Sequence, residues 1–414
     1  MARDVHPVAV LDPSSHVVVV GAGLAGWRLV EALRREGYTG RITVVGGEVH
    51  RPYDRPPLSK QVLAGKLGVL DTELVRPGSP NDIEWRLGVE AVGIDVGCRE
   101  VALADGSSIT GTHVAIATGV RARTLSTSAG ARVHALRTRE DVERLLRDVE
   151  IVGEGASAAV IGGGFIGAEV ATSLRARGLR VVVLEMAARP LVNVVGEQVA
   201  AWLEHLARDA GVELRTGQVV RDVERDANGL RVRIDDDHDV VASLVVAGVG
   251  AVTNVEWLAE SSLAIENGVV VDENLQAAEG VAALGDVARF VWAGPLGREL
   301  ARIEHWQVAN DHAVRLAHVW ITGEPVSSSF VPYFWSDQYG KKIQMLGHPD
   351  PRDEVERVFN DSGRWLALYH RRGVVTGVVA LSFPRGLMLA KPLVEVPTLI
   401  DAAVERAVAA IVRT

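Results

Sequence analysis

The sequence contains the same chain pattern twice: a buried strand, a glycine-rich turn, a helix and a second strand. In the first copy the strand is Val17–Val20, the turn is Gly21–Gly26, the predicted helix is Trp27–Glu36 and the second strand is Arg41–Val45. Continuous β-branched runs are typical of strands buried on both faces of a parallel sheet. Parallel neighbours need a long crossover, usually a helix, so this copy predicts a βαβ unit.

The second copy follows about a third of the way along the chain. Its strand is Ala158–Ile161, its turn is Gly162–Gly167, its predicted helix is Ala168–Arg177 and its second strand is Arg180–Leu184. A whole unit is duplicated, rather than a short string of residues. We therefore predict an α/β fold with two Rossmann-like dinucleotide-binding domains.

Each turn has glycine at the three positions that a dinucleotide-binding turn requires. The first reads Gly21-Ala22-Gly23-Leu24-Ala25-Gly26, and the second reads Gly162-Gly163-Gly164-Phe165-Ile166-Gly167. The first glycine permits a tight turn, the second admits a pyrophosphate against the backbone, and the third allows helix and strand to pack closely. A lone motif of this kind is weak evidence, because glycine turns also serve packing. Here each one ends a strand and opens a helix.

Acidic residues after the second strand of each unit are candidate ribose ligands. Glu185 lies 18 residues beyond Gly167 (185 − 167), near the expected spacing of about 20. A carboxylate there binds ribose hydroxyls and repels a 2′-phosphate, which favours NADH over NADPH, although Arg189 leaves some NADPH tolerance open. In the first unit Glu48 is the only nearby carboxylate and is the predicted ribose ligand. Either glutamate could instead be an ordinary solvated residue.

Cysteine content and charge exclude several classes of function. The chain has one cysteine, Cys98, so no internal disulfide or dithiol relay is possible, and we expect a small, at least partly buried residue there. A net charge of −9 gives no global basic field for nucleic acid. The histidines show no metal-ligand spacing. Met1–Ser15 lacks a signal-peptide pattern, and no apolar run reaches the roughly 18 residues of a membrane span, so we expect a cytoplasmic protein.

Several longer motifs together resemble one family. They are Arg51-Pro52-Tyr53-Asp54-Arg55-Pro56-Pro57-Leu58-Ser59-Lys60, Ala117-Thr118-Gly119, Gly164-Phe165-Ile166-Gly167-Ala168-Glu169, Leu284-Gly285-Asp286, Glu304-His305-Trp306 and Tyr333-Phe334-Trp335-Ser336-Asp337-Gln338. Over nearly its whole length the chain resembles the FAD-dependent ferredoxin reductases of oxygenase and cytochrome P450 systems. It departs from that pattern at Gly47, where an acidic residue is usual, at Thr253, where proline is usual, and at Gln276, where arginine is common.

The resemblance implies roles for individual residues. Lys60 would lie beside the reactive N5 edge of the flavin and pair with Glu169, Asp286 would bind the ribityl chain, and Trp335 would lie close to the isoalloxazine. A lysine stabilises an anionic reduced flavin, and a buried lysine needs a counter-charge. The predicted catalytic residues are Lys60, Glu169 and Trp335. The predicted FAD ligands are Gly21, Gly23, Leu24, Ala25, Gly26, Glu48, Arg55, Lys60, Ala117, Thr118, Gly119, Arg121, Asp286, Glu304, His305, Trp306 and Trp335. The predicted NAD ligands are Gly162, Gly164, Phe165, Ile166, Gly167, Glu169, Glu185 and Gly250.

Plainer interpretations stay open for four of these residues. Lys60 could be an exposed loop lysine and Asp286 a helix N-cap, while Trp306 and Trp335 could be ordinary aromatic core. The predicted domains are a discontinuous FAD-binding domain (1–121 and 249–328), an NAD-binding domain (122–248) and a smaller C-terminal α+β domain (329–414).

The resemblance also implies an activity and partners. NADH would reduce the flavin, which would deliver electrons singly to a small 2Fe-2S ferredoxin that feeds a cytochrome P450 or ring-hydroxylating oxygenase. Arg51, Arg55, Lys341 and Lys342 are candidates for a ferredoxin docking patch, or are scattered solvated charges. A rubredoxin reductase, an NADH oxidase or quinone reductase, and a flavin-binding signalling protein are the alternatives. We expect no nucleic-acid or membrane partner.

Overall fold

The computed structural model describes residues 6–125, 127–128, 130–235, 239–327 and 329–412, apart from the side chain of residue 412. The segment Met1–Ser15, predicted to lack a signal peptide, has its first five residues outside these described ranges. The chain divides into two compact units. The first comprises Met1–Asp54, Glu73–Arg121 and Val252–Phe334, and the second comprises Arg55–Thr72, Ala122–Ala251 and Trp335–Thr414. The domain boundaries predicted from the sequence stay predictions.

The first unit is built on a six-stranded sheet. In spatial order its strands are Gln276–Ala278, Val281–Ala283, His113–Ile116, His16–Val20, Arg41–Gly46 and Glu84–Leu87. The last five are parallel, and only Gln276–Ala278 is antiparallel to its neighbour. The β-branched runs of His16–Val20 and Arg41–Gly46 are buried on both faces, as parallel strands covered on both sides require.

Two helices of the first unit, Leu24–Arg35 and Trp306–Thr322, pack against each other. Trp27 and Trp320, one from each helix, are fully buried in the core of this unit. The described residues of this unit also form two small three-stranded sheets and two short 3-10 helices. One sheet consists of Ala91–Asp95, Glu100–Leu103 and Ser108–Thr110, and the other of Val269–Val270, Ala288–Gly294 and Gly297–Ala301. The 3-10 helices are Glu256–Leu258 and Gly285–Val287.

The second unit contains an all-parallel five-stranded sheet. Its strands, in spatial order, are Glu213–Thr216, Arg180–Glu185, Ser157–Ile161, Leu244–Ala247 and His134–Ala135. An antiparallel sheet of Val220–Asp226, Gly229–Ile234 and Val240–Ala242 accompanies it. Its helical segments are Leu58–Val62 (a π-helix), Leu70–Thr72 (a 3-10 helix), Arg139–Val152, Phe165–Ala176, Val192–Leu203 and His205–Asp209. Thr138 begins Arg139–Val152 with a capping box that it shares with Asp141.

The C-terminal part of the chain forms a five-stranded sheet and three helices. The strands, in spatial order, are Tyr333–Gln338, Lys341–Gly347, Val374–Leu381, Arg364–Arg371 and Glu354–Asp361. The helices are Pro384–Ala390, Pro392–Glu395 and Ile400–Val412. The short strands Val120–Ala122 and Ala251–Thr253 lie where the chain passes between units. No helix in the described ranges is both long and apolar enough to cross a bilayer.

The predicted starts of the first two helices were wrong, for a common physical reason. The first helix begins at Leu24 and the second at Phe165, rather than at Trp27 and Ala168. In both cases the second glycine of the turn is the N-cap, so the third glycine already lies within the first helical turn. Because glycine tends to break helices, each helix was predicted to begin only after the third glycine. At this glycine the close packing of helix and strand outweighs that tendency.

Candidate dinucleotide sites and the buried lysine–glutamate pair

In the first unit the predicted FAD residues gather at one edge of the sheet. Parallel strands have their carboxyl ends on the same side, where α/β folds bind ligands. The residues that follow these strands are Gly21–Gly26, Gly47–Glu48, Ala117–Gly119 and Leu284–Asp286. Residues far apart in the sequence are therefore brought to a single edge, as a ligand spanning several strands requires.

The three glycines of the first turn have separate structural roles. A methyl group on Gly21 would lie 2.2 Å from the Ala117 carbonyl oxygen, and one on Gly26 would lie 2.1 Å from the Gly21 carbonyl oxygen. Both positions therefore need glycine for backbone packing. Apart from Gly23 itself, its chain neighbours and the adjoining helix backbone, no atom of the described chain lies within 4 Å of a methyl group placed on Gly23. That glycine faces open space, where a phosphate could approach the backbone at the start of the helix.

The second turn repeats this division. A methyl group on Gly162 would lie 2.4 Å from the Gly248 carbonyl oxygen, and one on Gly167 would lie 2.0 Å from that of Gly162. At Gly164 such a group would meet nothing within 4 Å in the described structure. Gly250, which follows the strand Leu244–Ala247, adopts φ +96°, a conformation that glycine adopts without strain. Both units thus present an open glycine at a helix N-terminus.

Glu185 is the last residue of its strand and is tied to the second turn. Its carboxylate accepts hydrogen bonds from the backbone N–H groups of Gly163, at 2.5 Å, and Ala187, at 2.7 Å. Arg189, the residue that kept NADPH tolerance open, forms ion pairs with Glu197 at 3.2 Å and Glu204 at 3.6 Å. The carboxylate predicted to bind ribose therefore lies beside the turn, while the nearby guanidinium already has carboxylate partners.

The structure pairs Lys60 with Glu169 inside the second unit. The Lys60 Nζ lies 2.9 Å from the Glu169 Oε2, and their side chains are only 11% and 3% exposed. Lys60 belongs to the π-helix Leu58–Val62 and Glu169 to the helix Phe165–Ala176. Ser59 and Ser336 donate hydrogen bonds to the same carboxylate, at 2.6 Å and 2.5 Å. Lys60 is thus a buried cation with a hydrogen-bonded counter-charge, and not an exposed loop lysine.

The surroundings of the other FAD candidates of the first unit differ from residue to residue. The Trp306 indole N–H donates to Asp54 Oδ1 at 2.8 Å, so this side chain is more than an apolar core residue. Asp286 lies in the first turn of the 3-10 helix Gly285–Val287 and is half-buried. Arg302 forms an ion pair with Glu304, which is exposed. The half-buried His305 ring lies 5.2 Å from that of Phe334.

The remaining candidates are distributed over both units. Leu24 and Ala25 open the first helix. In the first unit Arg121 forms a bidentate contact with Glu256, at 2.6 Å and 3.0 Å. In the second unit Arg55 donates to the Arg137 carbonyl oxygen at 2.8 Å, and Trp335 is half-buried on the strand Tyr333–Gln338. Phe165 and Ile166 begin the second helix.

Several polar residues of these sites were not predicted. Ser59 and Ser336 stood inside the quoted motifs, but a serine carries no signal by itself that it will bind a carboxylate 110 or 167 residues away. Gln276, one of the departures from the family pattern, is fully buried and accepts a hydrogen bond from the Trp320 indole at 3.3 Å. The structure therefore gives Gln276 a role in the core.

The expectation for Cys98 was wrong. Its side chain is exposed on the turn between Ala91–Asp95 and Glu100–Leu103, and a hydrogen bond to Asp95 raises the pKa of its thiol. A raised pKa leaves less of the reactive thiolate. Within the described ranges no cluster of three histidine, cysteine or acidic side chains is arranged to hold a metal ion.

The fold and these sites define a class of two-nucleotide oxidoreductases, and comparison with known proteins agrees. The model of the pyridine nucleotide-disulphide oxidoreductase family matches residues 15–313, and that of the reductase C-terminal family matches residues 333–410. This chain belongs to the pyridine nucleotide-disulphide oxidoreductase family. The α/β fold class predicted from the sequence is confirmed.

Relatives of known activity narrow the class further. The ferredoxin–NAD(+) reductase subunit of the benzene 1,2-dioxygenase system of Pseudomonas putida is 36% identical over 400 residues, which cover 94% of each chain. Putidaredoxin reductase of the same species is 34% identical over 360 residues, 83% of each chain. The crystal structure of the covalent putidaredoxin reductase–putidaredoxin complex superposes with a TM-score of 0.88 at 30% identity, covering 96% of this chain and 99% of the other. The resemblance identified from the motifs is therefore confirmed.

Proposed function

We propose that this protein is an NADH-dependent ferredoxin reductase that holds FAD and passes electrons to a small 2Fe-2S ferredoxin. The observation that carries this function is the combination of two nucleotide-binding edges with a single, exposed cysteine. A family member with a dithiol could store electrons on sulfur. This chain has a single cysteine, so the flavin would accept the hydride and release the electrons without a dithiol relay. The relatives that cover most of its length are reductases of ferredoxins or of putidaredoxin.

The residues present fit the two cofactors. When bound, FAD takes up two electrons as hydride from NADH and releases them one at a time. Gly23 and Gly164 leave open space at helix N-termini, where backbone N–H groups can bind pyrophosphate. We assign Asp286, Glu304, His305 and Trp306 to the flavin side of the first unit on the resemblance. In support, the helix that begins at Trp306 packs against the 3-10 helix that contains Asp286.

We assign Lys60 and Arg55 to flavin contact and Trp335 to the partner-facing side. A lysine held by a buried carboxylate is fixed in position, and a cation so placed stabilises negative charge that develops on a neighbouring group. Glu169 is in turn held by two serine hydroxyls, so the whole arrangement is preorganised. Glu169 and Lys60 would thus act through a fixed electrostatic field rather than through movement.

The second edge supports NADH as the donor. A carboxylate at the Glu185 position accepts hydrogen bonds from ribose hydroxyls and repels a 2′-phosphate. The ion pairs of Arg189 with Glu197 and Glu204 compete with any phosphate for that guanidinium. We therefore expect a clear preference for NADH over NADPH.

The acceptor is a ferredoxin that serves a cytochrome P450 or a ring-hydroxylating oxygenase. The relatives named above belong to such systems, so rubredoxin reduction, an oxidase or quinone reductase activity and a signalling role are not favoured. Arg51, Arg55, Lys341 and Lys342 stay the predicted docking residues. Lys342 already pairs with Asp337 at 3.1 Å, so we expect Lys341 to contribute more. We also propose a cytoplasmic location, where NADH is supplied.

Steady-state oxidation of NADH tests this function. We expect rapid oxidation of NADH with a 2Fe-2S ferredoxin and little oxidation without an electron acceptor. A small dye should be reduced whether or not ferredoxin is present. The double variant K341E/K342E should slow ferredoxin reduction while leaving dye reduction unchanged, and E279Q, which alters an exposed charge elsewhere, should change neither. Slow turnover with every ferredoxin offered, together with a long-lived complex of reduced flavin and NAD, would indicate the signalling alternative instead.

A further inference from the structure

The two units can be compared position by position, because their strands have the same register. Val20 pairs with Val45 in the first unit, and Ile161 pairs with Leu184 in the second. The first glycine of each turn also donates to the equivalent carbonyl: Gly21 to Val45, and Gly162 to Leu184, both at 2.8 Å. The residue after Val45, Gly46, therefore corresponds to Glu185, the residue after Leu184.

The first unit cannot place a carboxylate at that strand end. A methyl group on Gly46 would lie 2.7 Å from the Cβ of Ala22, closer than two carbon atoms can approach. In the second unit the residue that corresponds to Ala22 is Gly163, which has no Cβ and binds the Glu185 carboxylate through its N–H. The alanine of the first turn thus excludes the side chain that the glycine of the second turn accepts.

A different segment brings a carboxylate to the same place. After the strand Glu84–Leu87 the chain continues along the end of Arg41–Gly46: Gly88 N–H donates to the Glu48 carbonyl at 3.0 Å, and Val89 N–H to that of Gly46 at 3.1 Å. The next residue is Glu90. A methyl group on Gly47 would lie 3.0 Å from the Glu90 Cγ and 3.5 Å from its Oε1. The Glu90 side chain therefore lies against the bare backbone of Gly47.

Glu90 and Glu48 differ in what already binds them. The side chain of Tyr53 is buried, and its hydroxyl donates a hydrogen bond to Glu48 Oε2 at 2.5 Å. This contact fixes Glu48 within its own loop. Glu90 is exposed, and among the described residues its carboxylate takes part in no hydrogen bond or ion pair. All its acceptor positions are therefore available to a ligand at this strand end.

We propose that Glu90, rather than the strand-end residue, supplies the carboxylate that accepts hydrogen bonds from the adenosine ribose hydroxyls of FAD. Gly47 leaves the space that the Glu90 side chain occupies, so the missing acidic residue at position 47 and the presence of Glu90 are two parts of one arrangement. This inference rests on the FAD-dependent function proposed above. It replaces the expectation that Glu48, the nearest carboxylate in the sequence, is the ribose ligand.

The test measures FAD affinity rather than turnover. The deflavinated full-length chain is titrated with FAD while flavin fluorescence is followed, for the wild type and for E90Q, E48Q and the exposed control E279Q. We expect E90Q to weaken FAD binding about tenfold, as loss of a charge-assisted hydrogen bond does. E279Q should bind as the wild type does. Circular dichroism of each apoprotein checks that the fold is unchanged.

A second titration separates a direct contact from a general charge effect. An FAD analogue without the adenosine ribose 2′- and 3′-hydroxyls should bind wild type and E90Q equally well. If E90Q keeps wild-type affinity for FAD, if it loses equal affinity for FAD and the analogue, or if E48Q alone carries the loss, the proposal is wrong. Failure of the wild-type chain to bind FAD would instead overturn the proposed function, so the two failures can be told apart.

Discussion

Replacing Glu169 by glutamine tests the buried ion pair, which is the most sharply defined electrostatic feature of the structure. The substitution keeps the shape of the side chain but removes its charge. It leaves the Lys60 ammonium in a site where that side chain is only 11% exposed. The hydroxyl groups of Ser59 and Ser336 also lose a charged acceptor. We therefore expect E169Q to be destabilised well beyond an ordinary polar substitution.

The magnitude follows from the geometry. Two unit charges 2.9 Å apart attract by about 6 kcal/mol at an effective dielectric constant of about 20. Part of this offsets the cost of removing both charges from water. Breaking a buried pair from one side typically lowers the free energy of unfolding by about 3–5 kcal/mol. S336A retains both charges and removes one hydrogen bond to the carboxylate. It should therefore lower the free energy of unfolding by less, about 1.5–3 kcal/mol.

A double-mutant cycle in urea unfolding provides the assay. E169Q, K60M and the double variant are unfolded with FAD bound, and S336A serves as the matched control. The loss of unfolding free energy in the double variant should be smaller than the sum of the losses in the two single variants, by at least about 2 kcal/mol. The reason is that the double variant leaves neither charge unpaired. Losses that add to within about 0.5 kcal/mol would refute the reasoning, since contacting charges must be coupled.

Two further predictions concern the second turn and a buried histidine. G164A should keep its thermal stability but bind NADH at least about tenfold more weakly, since its methyl group enters open space that a phosphate needs. G167A, whose methyl group would lie 2.0 Å from a carbonyl oxygen, should lose stability by about 1–3 kcal/mol or more; the reverse ranking would contradict the assigned roles. Burial, helped by Arg315, lowers the pKa of His312 from 6.5 to about 3. The unfolded chain thus binds the extra proton between these values, and stability falls as the pH drops through that window, by about 2 kcal/mol from pH 7 to pH 5. Unfolding curves of H312N should lack this part of the pH dependence, and an unchanged slope would count against it.

The sequence allowed the prediction of features that depend on local pattern. Both βαβ units follow from β-branched runs and glycine spacing, and the structure shows them with strand ends within a few residues of prediction. The open space at Gly23 and Gly164 agrees with the chemistry expected of the second glycine. Helix starts were misplaced because glycine, a helix breaker in isolation, lies inside the first turn when a strand packs closely against it.

Features that depend on distant residues could not be predicted. Ser336 binds a carboxylate 167 residues away, and nothing near either residue in the sequence signals that contact. The proximity of Glu90 to Gly47 is such a feature, because it depends on backbone hydrogen bonds that Gly88 and Val89 make to the distant residues Glu48 and Gly46. Glu48, the predicted ribose ligand, is by contrast close along the chain. The exposure of Cys98 depends on its position in a hairpin turn, which residue type alone does not reveal.

Anaerobic titration of the FAD-loaded protein with NADH tests the central claim that the flavin exchanges electrons in this protein without a dithiol relay. The absorbance of the oxidised flavin should be lost completely after one NADH per bound FAD, with no further uptake of electrons. Consumption of a second equivalent of NADH per chain would contradict the account, and so would a flavin that NADH leaves oxidised.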